Sequence, residues 1–225
     1  MYSPPPGFTD LLSDAALWPP AGEFEDLSLV SIGAVRARPP RARAVAYLAM
    51  VDNTSLKPHE QRDYLTRFVL DHLDTGEYQR VLSGVFDGDF PHDSVQRIAR
   101  KIATWGTARP YAAVLTLSLF TGHNWRTVRQ KLANAGMTSP LLLPSLHAVL
   151  DVTEDIVTES LLAPESEGPP SEGEKRLRRF YDAIYAPDPP EEEIVAGSGH
   201  SPPPTSFENP DAVEDAFDAF LRQAR

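Results

Sequence analysis

No cysteine occurs in the 225 residues, and that one absence removes disulfides, thiolate zinc sites, iron–sulfur ligation and cysteine nucleophiles together. A reducing compartment is compatible with this but is not demanded by it. Long apolar runs are also missing. The longest, residues 111–120, is interrupted by Thr116 and Ser118 and falls well short of the ~20 residues that cross a bilayer. The opening Met1-Tyr2-Ser3-Pro4-Pro5-Pro6 lacks the basic and apolar regions of a secretion signal. A cytoplasmic protein is therefore expected, with no membrane partner.

Motifs that carry chemistry are likewise scarce. There is no phosphate-binding glycine loop, dinucleotide fingerprint or nucleophile elbow, and the glycines stand mostly as single punctuation marks. The histidines, His59, His72, His92, His123, His147 and His200, never pair at metal-ligand spacing. His147 and Asp151 sit one helical turn apart, which is ordinary helix-surface chemistry. Glu191-Glu192-Glu193 lies among prolines, where solvated carboxylates have no reason to shift their pKa. The expectation is a protein that is not an enzyme, with no catalytic residue, cofactor or metal.

What the chain does have is proline and unevenly placed charge. Its 22 prolines are nearly twice the ~5% of average proteins, and they gather at the ends and between segments. The net charge of −11 divides sharply: residues 1–35 hold five acids and no base, residues 36–150 hold nine acids and 15 bases, and residues 151–225 hold 18 acids and six bases. A basic middle between acidic ends suits polyanions, the chain's own tails, or partners that meet two unlike surfaces.

Residues 1–35 read as a low-order, acidic and proline-rich arm that docks in places through residues such as Leu11, Leu12, Trp18 and Phe24, with residues 27–35 extended or a short strand. Residues 36–162 read as a helical core domain. Apolar residues recur there at three- and four-residue steps, as in Tyr64, Leu65, Phe68, Val69 and Leu73, and again in Tyr78, Val81, Leu82, Val85 and Phe86. Residues 111–120 are apolar on most sides and fit a central buried helix, with a strand as the alternative. Asn124 suits an N-cap and Gly136 a helix end. Residues 163–225 read as an acidic, proline-rich tail with amphipathic helices near 172–185 and 210–223, either tethered docking elements or helices folded back on the core. The fold class expected is all-α: a multi-helix orthogonal bundle with disordered N- and C-terminal arms and short C-terminal amphipathic helices.

The candidate contacts are all of the protein-binding kind. Trp105 and Arg109 flank a connector with Gly106 and Pro110. They fit either an exposed knuckle of interface anchors or a core cap and a carbonyl-satisfying arginine. Trp125 reads as core. Phe180, Tyr181 and Ile184 in one tail helix, with Phe217, Phe220 and Leu221 in the other, form stripes suited to helix-in-groove contacts. The rival reading is a helix-turn-helix regulator reading DNA through Arg126, Arg129 and Lys131. Acidic flanks oppose it, and nucleic acid is not the expected partner.

The strings Ala103-Thr104-Trp105-Gly106-Thr107-Ala108-Arg109-Pro110, Asn124-Trp125-Arg126, Leu143-Pro144-Ser145-Leu146-His147 and Leu150-Asp151-Val152-Thr153-Glu154 resemble those of tail-module proteins of phages infecting actinobacteria, in particular their tail assembly chaperones. The resemblance spans roughly half the chain and carries no catalytic residue. It implies a protein that binds the long tape-measure protein in the host cytoplasm before the tail tube forms and is absent from the virion. It also implies that many such chaperones have a short form and a frameshifted longer one. Self-association and a structural role in the virion are the other partner and function readings.

Overall fold

The computed structural model describes residues 6–18, 22–162 and 171–187, and these are mostly helical. In chain order they form α1 (Pro6–Ala16), a hairpin of β1 (Glu25–Leu29) and β2 (Gly33–Ala37), α2 (Ala44–Val51), α3 (Pro58–His72), α4 (Glu77–Asp87), α5 (Ser94–Ala103), α6 (Tyr111–His123), α7 (Trp125–Asn134), a 3-10 turn at Pro140–Leu142, α8 (Leu146–Leu162) and α9 (Ser171–Ile184). The alternative of a strand at residues 111–120 falls: that segment is α6. The expected helix near 210–223, with Phe217, Phe220 and Leu221, lies outside the described residues.

The centre of the body is α6. Ala113, Val114, Leu115, Leu117, Ser118, Thr121 and Gly122 are buried and the rest of the helix is partly covered, which matches its largely apolar sequence. Its two buried hydroxyls are satisfied locally: Ser118 Oγ donates to the Val114 carbonyl at 2.7 Å and Thr121 Oγ1 to that of Leu117 at 2.8 Å. Around α6 pack α2, α8, α1, α5, α7 and α9, with α2 making the most extensive contact. α2 is itself buried along nearly its whole length. α3 lies on the far side of α2 and also meets α5.

Within residues 1–35, expected to be an arm that docks in places, the described residues hold α1 and most of the hairpin. α1 is part of the core: Phe8 and Leu11 are fully buried and Ala15 nearly so. The missing signal has a physical cause. At 11 residues the helix is too short for sustained periodicity, and its seat is shaped by distant glycines. A Cβ on Gly122 would come within 2.5 Å of the Phe8 ring, and one on Gly7 within 2.6 Å of the Gly122 carbonyl oxygen. Bare backbone at both positions lets α1 approach α6 closely. The Phe8 ring then stands edge-on to His123 with centroids 4.6 Å apart.

The hairpin follows ordinary strand logic. Leu27, Leu29, Val35 and Ala37 alternate inward and are buried, and Gly33 supplies the positive φ of the turn. β2 is stitched to the end of α3, where Arg38 N–H donates to the His72 carbonyl and Asp74 N–H to the Arg36 carbonyl, both at 2.9 Å. Asn124 precedes α7 but does not cap it. Its side-chain amide instead donates back to the Phe120 carbonyl at 3.0 Å, serving the end of α6. Gly136 closes α7 with φ 85°.

Two predictions follow from this packing. Phe8→Ala should destabilise the fold by about 3–5 kcal/mol, as expected for emptying a fully buried aromatic site, and urea denaturation measures it; a change below ~1 kcal/mol would return α1 to the status of an arm. The second concerns acid. His72 is buried beside Phe68, Asp71, Arg38 and Arg43, donates from Nδ1 to the Phe68 carbonyl at 2.6 Å, and is pushed down to about 4 by burial. His123 is pushed down to about 4 by burial as well. Both are neutral in the folded state, whereas the unfolded chain takes up a proton near pH 6.5. Their contribution to stability is therefore intact above pH ~6.5 and is lost as pH falls toward 4, by roughly 3 kcal/mol for His72. Thermal melts of His72→Leu should show a shallower decline over that window than those of the wild type.

Candidate functional site

The connector between α5 and α6, for which an exposed knuckle and a core cap were the two readings, is drawn into the body. The Arg109 side chain is only 13% exposed. Its Nη2 donates to Asp151 Oδ1 and to Glu154 Oε2, each at 2.6 Å, and its Nε donates to the Tyr185 hydroxyl at 3.2 Å. Tyr185 in turn donates to Glu154 at 2.9 Å. Nor does Arg109 satisfy helix carbonyls, the other role considered for it. Burial works against the guanidinium charge, but the bonds to Glu154, Asp151 and Tyr185 outweigh it and hold the group above its ordinary pKa. Burial pushes the Tyr185 hydroxyl up.

This cluster joins three elements. Asp151 and Glu154 are three apart on α8 and so share a face, the connector delivers Arg109 to that face, and Tyr185 sits just beyond the end of α9. α9 lies antiparallel along α8. Gly173 at its start comes against Leu161 and Leu162, Arg176 donates to the Leu161 carbonyl at 3.3 Å, Tyr181 meets the Thr158 hydroxyl at 3.2 Å, and Tyr185 reaches Glu154. Phe180 stands edge-on to Phe120 of α6 at 6.1 Å, and Ile184 is 2% exposed. Of the two readings for this helix, the one in which it folds back onto the core describes the structure. Phe180, Tyr181 and Ile184 are thus brought together, but against their own chain.

Trp105 is half-buried against the core, and its carbonyl accepts a bond from His147 Nε2 at 3.1 Å. His147 is lowered in pKa by burial, with Arg109 and Asp151 close enough to act on it in opposite directions, and Asp151 is bonded to Arg109. Trp125 is fully buried, as expected, and its indole N–H donates to Asp14 of α1 at 2.7 Å. Arg126 and Arg129, two of the side chains offered to DNA in the rival reading, pair with Asp10 at 2.6 Å and Asp14 at 3.3 Å, and Lys131 pairs with Glu159 at 2.8 Å. The cations of this α7 face are thus balanced by acids of α1 and α8. Among the described residues no three His, Asp or Glu side chains are grouped to hold a metal ion, and no helix is long and apolar enough to cross a membrane.

Comparison with known families bears on the same regions. Residues 1–110 match a family model described as phage tail assembly chaperone protein. Over those residues the chain is similar to phage tail assembly chaperone proteins. Residues 120–225, which include α7 to α9, match a family of unknown function (DUF7240). No curated protein and no solved structure matches the chain. The chaperone match supports a tail assembly role with protein partners. It also covers α1 and the hairpin, the stretch read from sequence as an arm.

Tyr185, Asp151 and Glu154 were not singled out as site residues from the sequence. The available signal was an arginine alone in a glycine- and proline-bearing connector, with two acids at i and i+3 on a helix that follows. Arg109→Ala should leave Glu154, only 15% exposed, without its cation, at a cost of roughly 3 kcal/mol. Hydrogen exchange at residues 173–185 should quicken by a larger factor than exchange in α6; unchanged protection of α9 would show that its apolar contacts alone hold it.

Proposed function

We propose that the protein is a non-catalytic chaperone of phage tail assembly that binds the tape-measure protein in the host cytoplasm before the tail tube encloses it. The observation that carries this reading is the chaperone-family match over residues 1–110. A tape-measure protein is a long helical chain whose apolar faces stay unsatisfied until the tube surrounds them, so its holder needs apolar surface for capture and net charge for solubility. The body offers exposed apolar side chains at Phe86 (86%), Leu17 and Val30 (78% each). The segment beyond Pro187 offers nine acids against two bases. That segment also carries Phe217, Phe220 and Leu221, which we assign to additional client contacts whose tethering raises effective concentration.

Co-expression with a tape-measure protein encoded in the same tail module tests the proposal. The full chain should keep the client soluble and co-purify with it, and removing residues 188–225 should cut the soluble fraction severalfold. A client that aggregates equally with and without the chain would sink the chaperone reading, and recovery of the chain in purified particles would favour a structural role.

A further inference from the structure

α9 is seated along the body more lightly than the other helices packed on α6. Among its described residues beyond Gly173, Ile184 is the one buried side chain, while Leu177, Phe180 and Tyr181 are half-buried. By contrast, α1 inserts Phe8 and Leu11 completely. The far end of α9 is fastened by polar bonds, from Tyr185 to Glu154 and Arg109. The surface beneath it is continuous: Glu154, Thr158 and Leu161 recur along one face of α8, and Phe120 of α6 stands at its side. α9 is basic, with Lys175, Arg176, Arg178 and Arg179, four of the six bases in residues 151–225, and it lies on an acidic helix whose Asp151 and Glu154 are held by Arg109 and whose Glu159 is held by Lys131.

We propose that the α6–α8 groove is a binding site for a basic amphipathic helix of the client protein, and that α9 is the chain's own stand-in for that helix. The inference rests on the chaperone reading and gives it a location. α9 states the chemistry of the ligand: apolar residues at i, i+3, i+4 and i+7, as in Leu177, Phe180, Tyr181 and Ile184, with arginine or lysine on the flanks. A client helix gains the groove only in the fraction of molecules whose α9 has left it, so its apparent affinity is divided by that fraction. Weakening α9 without altering the groove therefore strengthens client binding. Weakening the groove side, as Arg109→Ala does, loosens α9 and client alike and gives no such gain.

The probe is a fluorescent peptide of residues 171–187 added to the full chain and followed by polarisation. Tyr185→Phe in the chain removes one end of the polar fastening and leaves the groove intact, so the unaltered peptide should bind about tenfold more tightly than to the wild type. Ile184→Asp should give a larger gain, and Phe120→Ala added to it should remove most of that gain. A peptide carrying Ile184→Asp should bind poorly throughout. Circular dichroism shows whether each chain is folded; if Ile184→Asp unfolds it, the milder Tyr185→Phe decides. Equal affinity for wild type and Tyr185→Phe, or equal binding of the two peptides, would overturn the proposal and make α9 a fixed part of the fold. A chain that keeps the tape-measure protein soluble yet gains no affinity for the peptide loses this groove and keeps its function. A chain that gains the affinity and fails to hold the tape-measure protein keeps the groove and loses the function.

Discussion

The constraint on which the rest depends is the burial of α6, none of whose residues is exposed. A helix so covered has no place at a surface, so its neighbours α1, α2, α5, α7, α8 and α9 bring apolar residues to it, and α3 joins them through α2 and α5. α6 also explains why the two family matches do not mark two independent domains. The matches end at residue 110 and resume at residue 120, and most of α6 lies in the interval. Both matched regions pack on it: α1, α2 and α5 from the first, α7, α8 and α9 from the second. A cut at the family boundary would strip the core from each half.

The halves are joined a second time by charge. Asp10 and Asp14 of α1 meet Arg126, Arg129 and the Trp125 indole of α7, and the Arg126 guanidinium holds the Asp10 carboxyl below its ordinary range. Exposed pairs of this kind contribute little each. Their effect is to fix orientation, because the large apolar anchors of α1 are few, Phe8 and Leu11 being its fully buried side chains. This pairing gives the acidic first segment and the basic middle of the sequence a common purpose, which net charge conceals.

Periodicity made the helices of the core domain legible. α3, α5, α7 and α8 each carry an apolar stripe with a clear polar side, so their extents and inward faces could be read from residues 36–162. α1 was not legible, because its seat depends on Gly7 and Gly122, over a hundred positions apart, and single sequences do not announce such complementarity. The hairpin was half legible through Leu27 and Val35; its attachment to α3 through the Arg38 and Asp74 amides was not. At the candidate site the residue types were visible and their partners were not. Arg109 stood out in its connector, but that it would turn inward to Asp151, Glu154 and Tyr185 depends on how α8 and α9 are placed, a tertiary fact.

The ion-pair cluster also bears on how α9 is held. Apolar burial is non-directional and accepts many occupants of the right width, whereas the Arg109 fork demands a hydroxyl or carboxylate at one position. Tyr185 meets that demand from the end of α9, so register is set by polar bonds at one end while adhesion comes from Phe180 and Ile184 along the helix. A ligand that matches the apolar stripe but lacks the hydroxyl would bind in the same groove with its register less fixed. Under the exchange proposed for α9, one groove would then serve many similar helical segments, whereas a wholly apolar seat as deep as that of α1 would hold α9 in place.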